Sequence, residues 1–391
     1  MNGARRMTAV AVLVLTACSA PAVQDPSGPS AEEVAAEVGW QPLAESPIGP
    51  RTGAHAFWTG SEVLVVGGTD DISCPPNADC VAGRPALRDG AAYDPTSGAW
   101  AEMPDAPVPM GAISGATVDG TLYVWAPSFE DGAASALLSY TPGDDAWIEL
   151  DDPPFEAGDF MVLVSAGDQL VATQSTHEFG ISPDLAYDPA TEHWVELPPD
   201  PLAPSFDREM VWTDAGLVLL AHALVPNPGS AEPSVVMAAR LAEADDTWER
   251  LPDSELIGYG FRWSGTAVVN AAIGSADGGQ VNNWGRDHPF GGTLDPAGAS
   301  WSDLPGTPAE AGELTGLTAA GGGWTVSADG WALHDRSSTW VELRRPAAGA
   351  AEQGQAAVWA GDRLFMFGGT RVAGARFVLV PGGWAWVPEA R

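Results

Sequence analysis

The segment at residues 93–100 reads Tyr-Asp-Pro-Thr-Ser-Gly-Ala-Trp, and the segment at residues 187–194 reads Tyr-Asp-Pro-Ala-Thr-Glu-His-Trp. Both phrases close with a tryptophan, and tryptophans recur along the chain at intervals of 39 to 60 residues. The series is Trp40, Trp100, Trp147, Trp194, Trp248, Trp301, Trp340 and Trp386. Repeats of roughly 40 to 50 residues are typical of propellers, so the chain is predicted to be a tandem array of small sheets.

The first period shows the internal pattern of one repeat. Four short apolar runs, at 53–58, 63–68, 91–95 and 99–104, are separated by segments that carry turn residues. Runs of this length, bounded by glycine, proline, serine and aspartate, predict short strands joined by turns. Each repeat is therefore predicted to form a four-stranded antiparallel sheet.

The order of three features in these periods resembles the kelch repeat. These are a strand that ends in Gly-Gly, a Tyr-Asp-Pro strand, and a tryptophan followed by Leu-Pro or Met-Pro. The last period shows the Gly-Gly strand again at 364–369, whereas Ala126-Pro127 and Thr173-Gln174 replace Gly-Gly in the second and third periods. The resemblance covers residues 40–388. It implies an all-β, seven-bladed kelch-type β-propeller, with six blades as the alternative because one period spans only 39 residues.

Eight tryptophan strands are one too many for seven four-stranded blades. Either the strand of Trp40 or the strand of Trp386 must supply the outermost strand of the last blade. We expect the N-terminal strand around Trp40 to do so and to close the ring. The tryptophans are assigned to packing between neighbouring sheets, because a single blade cannot bury both of its faces.

The N-terminus has the features of an export signal. Residues 1–17 contain two arginines and then an apolar run too short to span a bilayer. Leu15-Thr16-Ala17-Cys18 resembles the lipobox of bacterial lipoproteins, which implies cleavage before Cys18 and lipidation of that cysteine; an ordinary secretory signal is the alternative. Residues 18–38 are predicted to be a flexible tether, and residues 39–391 the propeller. The expected location is the outer face of the bacterial cytoplasmic membrane.

The charge of the chain limits its partners. The formal net charge is −35, and all 17 basic residues are arginines. A surface this acidic repels phosphate backbones and anionic head groups, so nucleic-acid binding is excluded and the lipid is the expected membrane contact. We expect a monomer that recognises a protein or a carbohydrate. The absence of lysine beside abundant arginine, alanine and glycine indicates a bacterium with a GC-rich genome.

Three loops are predicted to carry binding residues, because propellers use loops while their framework is structural. The first, at 69–89, contains Cys74 and Cys80, which are predicted to form a disulfide in an oxidising compartment; a metal site is the alternative, although no histidine lies nearby. The other two mix aromatic, amide and charged groups that suit a sugar or peptide, with a plain solvated loop as the alternative. Their candidate residues are Asn282, Asn283, Trp284, Arg286, Asp287 and His288 in one loop and His177, Glu178 and Phe179 in the other.

No sequence pattern assigns a catalytic residue, a cofactor or a metal. The six histidines show no metal-ligand spacing, and no catalytic motif is present. The prediction is a non-catalytic binding or scaffold module. The alternative is a copper enzyme similar to galactose oxidase, a family with a related propeller that needs a tyrosine crosslinked to a cysteine, a second tyrosine and two histidines. None of those ligands maps onto the five tyrosines and three cysteines of this sequence.

Overall fold

The computed structural model describes residues 38–72, 85–128, 135–151, 153–154, 161–178, 180–224, 233–242, 247–276, 287–306, 308, 317–327, 330–344, 346, 350–374 and 376–389. These residues contain 32 strands, most of them in seven four-stranded antiparallel sheets. No helix capable of crossing a membrane occurs among them. The innermost strands contact one another in sequence, and the last contacts the first, so the sheets form a ring. The seven-bladed β-propeller is confirmed, and the six-bladed alternative is excluded.

The first four blades each use four consecutive strands, paired from the innermost to the outermost. One strand, β1 (Gly39–Pro42), precedes them. Blade 1 contains β2 (His55–Trp58), β3 (Val63–Val66), β4 (Gly90–Asp94) and β5 (Ala99–Met103); blade 2 contains β6 (Ser114–Val118), β7 (Thr121–Ala126), β8 (Ala136–Tyr140) and β9 (Ile148–Leu150). Blade 3 contains β10 (Met161–Ala166), β11 (Gln169–Gln174), β12 (Leu185–Asp188) and β13 (His193–Glu196); blade 4 contains β14 (Ser205–Thr213), β15 (Gly216–Ala223), β16 (Val236–Leu241) and β17 (Glu249–Arg250).

Two of the remaining three blades carry an additional two-stranded ribbon between their second and third strands. Blade 5 contains β18 (Arg262–Trp263), β19 (Val268–Asn270), the ribbon β20 (Ser275–Ala276) and β21 (His288–Pro289), β22 (Gly292–Asp295) and β23 (Ser300–Asp303). Blade 6 contains β24 (Leu317–Gly321), β25 (Trp324–Ser327), β26 (Trp331–His334) and β27 (Thr339–Glu342). Blade 7 contains β28 (Ala356–Ala360), β29 (Arg363–Phe367), the ribbon β30 (Thr370–Ala373) and β31 (Arg376–Leu379), and β32 (Gly383–Val387).

Strand β1 completes blade 7 and closes the ring, as expected from the sequence. It pairs with β32, where Trp40 lies opposite Trp386, and Trp386 in turn lies opposite Leu364. In blade 1 the corresponding third-strand position is held by Tyr93, between Val63 and the outer Trp100. Trp386 therefore takes the place of the repeat tyrosine, which accounts for the eighth tryptophan of the series.

The outer tryptophans join each blade to the one before it. Trp100 packs against Phe365 and Phe367 of blade 7, so its ring lies between two sheets. Five indole N–H groups also donate to a backbone carbonyl that shortly follows the outermost strand of the preceding blade. The pairs are Trp100 with Ala44 at 3.1 Å, Trp147 with Pro104 at 3.0 Å, Trp248 with Pro198 at 2.9 Å, Trp301 with Pro252 at 2.7 Å and Trp340 with Pro305 at 3.2 Å. In four of these five pairs, the acceptor is the proline that follows the tryptophan strand of the preceding blade.

The Gly-Gly pair lets the connection to the next blade approach the end of the second strand. Gly67 and Gly68 have φ angles of 65° and 80°, and Gly68 N–H donates to the carbonyl of Met110 at 2.9 Å. A Cβ on Gly67 would lie 1.9 Å from the same carbonyl oxygen. Both the backbone conformation and the lack of space therefore require glycine.

Candidate functional site

The predicted loops lie on one face of the ring. This loop face carries the connections between the second and third strands of each blade and the connections from blade to blade, whereas the opposite face carries tight turns such as 59–62 and 95–98. The connections at 67–89, 175–184 and 271–291 all belong to the loop face. The topology thus places the three sequence-predicted loops on a common side.

The structure describes four of the predicted binding residues. The side chains of His177 and His288 are buried, with 3% and 1% of their surface exposed, whereas Glu178 and Asp287 are exposed. His288 lies at the start of β21, with its Nδ1 3.3 Å from the carbonyl oxygen of Glu255. A ligand role for these four remains a prediction. The other predicted residues lie outside the described part of the chain: Cys18, Cys74, Cys80, Phe179, Asn282, Asn283, Trp284 and Arg286.

His177 borders a buried ionic network between blades 3 and 4. The side chain of Arg208 is fully buried and donates to Asp184 at 2.8 Å and to Asp200 at 3.1 Å. The backbone N–H of His177 donates to the carbonyl of Ser205 at 2.8 Å. Burial, and then the positive charge of Arg208, lower the pKa of His177, so its imidazole is neutral at neutral pH.

This network joins blades 3 and 4 through groups of opposite charge. Burial raises the pKa of Asp184, and the guanidinium of Arg208 and the hydroxyl of Thr173 partly offset that increase. Two carboxylates thus share one guanidinium in a water-poor site. Such an arrangement serves packing between blades more readily than ligand exchange.

A cleft of about 240 Å³ opens on the loop face between blades 6 and 7. Its residues come from the ends of β25 and β27, the start of β26, the connection to blade 7, the end of β29, the start of β32 and strand β1. We call it the blade 6–7 cleft; the residues used below are Trp40, Trp331, Glu342, Arg344, Glu352, Gln355 and Trp384. Ligand sites are typically concave and largely apolar with a few polar groups at defined positions, and the cleft has that composition.

Backbone hydrogen bonds fix the walls of the cleft. On the blade 6 side, Leu343 N–H donates to the carbonyl of Gly330 at 2.7 Å. On the blade 7 side, Gly368 N–H donates to the carbonyl of Gly382 at 2.9 Å. Buried Leu343 and Phe367 lie at the apolar base. The cleft is therefore built on paired strands, which hold a site more precisely than loops do.

The sequence of blade 6 differs where the cleft opens. Arg344 follows Leu343 at the position where blades 1, 3, 4 and 5 have the proline that accepts an indole hydrogen bond. No such bond joins Trp40 to the described residues of blade 6, and Trp40 instead lines the cleft. Trp40 packs against the core shared by blades 6 and 7 and also lines the cleft.

Charged and amide side chains surround the entrance. Glu342 and Arg344 are exposed, with the Arg344 Nε 3.5 Å from a carboxylate oxygen of Glu342. Glu352 accepts a hydrogen bond from the backbone N–H of Val372 at 3.4 Å. This contact joins the connection between blades 6 and 7 to the β30–β31 ribbon. Gln355 donates its amide to the carbonyl of Ala351 at 3.0 Å. The described side chains at the entrance thus include two carboxylates, one guanidinium and one amide.

The cleft residues were missed in the sequence because they follow no motif. One signal was present: nine tryptophans fall outside the periodic series, and four of them, Trp324, Trp331, Trp359 and Trp384, lie in the last two periods. Tryptophans in addition to the one that each repeat uses for packing indicate that these two blades pack differently from the others.

The described residues of the cleft supply aromatic surface and carboxylates. Within the described part of the chain, no group of three or more histidine, cysteine, aspartate or glutamate side chains is arranged to hold a metal ion. Aromatic walls and rim carboxylates can hold an organic ligand without any covalent step. No protein-family model matches the sequence, and the search of curated proteins gave no significant match.

Proposed function

We propose that this chain is a lipid-anchored, extracytoplasmic propeller of the kelch type that binds a ligand in the blade 6–7 cleft without transforming it. The lipobox-like segment ending at Cys18 and the polar segment that follows it support the anchor and the location. The Gly-Gly pairs and the Tyr-Asp-Pro phrases support the kelch type. On this proposal the propeller is a rigid carrier held at the membrane surface, with its loop face as the recognition surface.

The observation that carries the proposal is the cleft itself. A cavity of about 240 Å³ has room for a small organic molecule or for one large side chain of a partner protein. Three tryptophans, Trp40, Trp331 and Trp384, contribute to its lining, and each is only partly buried. Partly exposed aromatic rings in a concave site supply a large apolar contact area at little entropic cost, which is typical of binding surfaces.

The copper-enzyme alternative receives no support from four of the five tyrosines that the structure describes; the fifth, Tyr259, is exposed. Tyr93, Tyr140 and Tyr187 pack against the tryptophans of their own blades, with ring centroids 4.9 to 5.1 Å apart. Tyr123 is buried in β7, next to the ring of Tyr187. Burial raises the pKa of all four phenols, which opposes the deprotonation that metal binding needs. These tyrosines belong to the repeat framework.

Ligand-observed NMR with a mixed library of sugars, amino acids, amines and short peptides tests the proposed function. The expected result is saturation transfer to at least one compound with the wild-type protein, its loss in the Trp384→Ala variant, and unchanged compounds after prolonged incubation. Conversion of any compound into a product would identify an enzyme and overturn the proposal. Binding that persists unchanged in Trp384→Ala would move the site away from the cleft.

The anchor is tested separately in cells. We expect wild-type protein to fractionate with membranes and to incorporate labelled fatty acid, and the Cys18→Ser variant to lose both properties. A Cys18→Ser variant that keeps its lipid label would contradict the anchor. A Cys74→Ser variant, which alters a cysteine outside the lipobox-like segment, is the control.

A further inference from the structure

We infer that the ligand of the blade 6–7 cleft is an organic cation, an ammonium group on an apolar body such as a quaternary amine or a protonated alkylamine. The inference rests on the proposed binding function and adds the chemical class of the ligand. Three features of the cleft carry it: aromatic walls, carboxylates at the entrance and the sign of the surrounding charge.

The aromatic walls favour a cation over other apolar ligands. Trp384 lies at the start of β32 and Trp40 in β1, so two indoles of blade 7 line the cleft, whereas Trp331 packs against the core between blades 5 and 6. The face of an indole attracts cations more strongly than that of any other side chain, because its π electrons give the ring a negative face. The rings of Trp40 and Trp384 are only partly buried, so part of the surface of each is open to a ligand.

Carboxylates outnumber cationic groups among the described side chains at the entrance. Glu342 and Glu352 carry carboxylates, and Arg344 carries a guanidinium beside Glu342. A carboxylate attracts a cation by charge alone, so the ligand does not need an N–H donor, which a quaternary amine lacks. The entrance therefore favours a cationic ligand.

The charge around the cleft has the sign that attracts a cation. Among the described lining residues Arg344 is the single cationic side chain, and Glu342 lies beside it. Glu352 supplies a second carboxylate, so the described side chains of the lining carry one more negative than positive charge. The formal net charge of the whole chain is −35, which raises the local concentration of cations and disfavours anions such as carboxylates and phosphates.

Isothermal titration calorimetry with choline and with its neutral isostere 3,3-dimethyl-1-butanol separates the effect of the ligand's charge on binding from the effect of its shape. The wild-type protein is expected to bind choline and to bind the neutral alcohol at least about tenfold more weakly, since cation–π contacts contribute roughly 1–2 kcal/mol. The double variant E342Q/E352Q removes two exposed charges with little change in shape. It is expected to weaken choline binding about fivefold or more at low salt.

A matched control comes from another blade. The triplet Trp194-Val195-Glu196 of β13 has the same sequence as Trp340-Val341-Glu342 of β27, and Glu196 does not line the cleft. The Glu196→Gln variant should bind choline like the wild type. This control separates a local carboxylate effect from a change in overall charge.

The outcomes distinguish the inference from the function on which it rests. Equal binding of choline and the neutral alcohol, or equal loss in Glu196→Gln and in E342Q/E352Q, would overturn the cation inference. Binding of a neutral sugar that is lost in Trp384→Ala would also overturn it while leaving the binding function intact. If neither the probes nor any library compound bind, both the inference and the proposed function fail.

Discussion

At the residue scale, single atoms decide whether neighbouring blades can approach. Gly67 combines a left-handed φ of 65° with a virtual Cβ only 1.9 Å from the Met110 carbonyl, whereas Gly98 has a similar φ of 71° and open space around it. We expect Gly98→Ala to cost about 1 kcal/mol through backbone strain alone. Gly67→Ala is expected to cost roughly 3 kcal/mol or more, because the inter-blade connection must also move.

Urea denaturation of both glycine variants measures the two costs under the same conditions. The difference between them isolates the close approach of the next blade, since the backbone term is shared. Equal destabilisation of the two variants would show that the Gly67 site has room for a side chain and would contradict the packing described for the Gly-Gly pair.

A buried arginine makes blade 1 sensitive to acid. Arg51 is 2% exposed and donates to both carboxylate oxygens of Asp89, at 2.9 and 2.7 Å. These hydrogen bonds, more than the opposing effect of burial, lower the pKa of Asp89. The pair therefore stabilises the fold above the ordinary aspartate pKa, and this contribution is lost as the pH falls through the lowered value.

The Asp89→Asn variant tests this contribution. It removes the negative charge beside Arg51, whose guanidinium keeps the carbonyls of Gly49 and Gly67 as acceptors, so we expect a loss of about 2 kcal/mol at pH 7. The wild type and the variant differ in their free energy of unfolding, and this gap should narrow as the pH is lowered below about 4. The wild type then loses the same ion pair, because Asp89 is protonated. Urea denaturation between pH 7 and pH 3 measures the gap, with the exposed Asp303→Asn as the control. A gap that stays constant with pH would contradict the role of the ion pair.

At the element scale, the ring depends on the pairing of the two ends of the chain. Gln41 lies directly opposite Ala385 across the β1–β32 pair. Opposed residues of antiparallel strands have Cα atoms about 4.5–5.5 Å apart, within the range that a disulfide bridges. The double variant Gln41→Cys/Ala385→Cys is expected to oxidise to a crosslink and to stabilise the fold by about 3 kcal/mol.

Peptide mapping of the non-reduced protein checks this crosslink. Gln41→Cys combined with Glu196→Cys on blade 3 should stay unlinked, because the two positions belong to different blades. Failure of the first pair to join, under conditions in which both thiols are accessible, would contradict closure by the N-terminal strand.

Local chemistry explains how much of the fold was predictable. Asp94 accepts from the N–H of Thr96 at 2.7 Å and from the hydroxyl of Ser97 at 2.6 Å, and Asp188 makes the equivalent contacts with Ala190 and Thr191. Each turn therefore follows from residues adjacent in sequence, which a single chain reveals. The repeated turn and tryptophan then predicted the blade and the number of blades.

The cleft was not predictable in the same way, because it depends on residues far apart in sequence. Trp40 and Trp384 come from the two ends of the chain, and Trp331 and Glu342 from the preceding blade. The sequence shows Leu343-Arg344 where other repeats have Leu-Pro or Met-Pro, but it does not show that a cavity lies at this position. His177 and His288, in contrast, were predicted from loop composition, which cannot show that their side chains are buried.

At the scale of the whole molecule, the proposed binding region lies where the ring is closed. Blade 7 combines strands from both ends of the propeller, and the cleft lies between it and blade 6. Among the described contacts, Trp40 and Trp194 lack the indole hydrogen bond to the preceding blade that five other repeat tryptophans make, and Trp40 also lines the cleft. On our proposal, ligand recognition uses the junction at which the ring closes.

Hydrogen–deuterium exchange of the intact protein with and without saturating choline tests the location of the ligand most directly. The prediction is slower exchange in peptides from the lining of the blade 6–7 cleft, around 326–331, 342–355 and 379–384, with the other blades unchanged. Protection confined to another part of the ring, such as 175–208 between blades 3 and 4, or no protection anywhere, would contradict the cleft as the binding site.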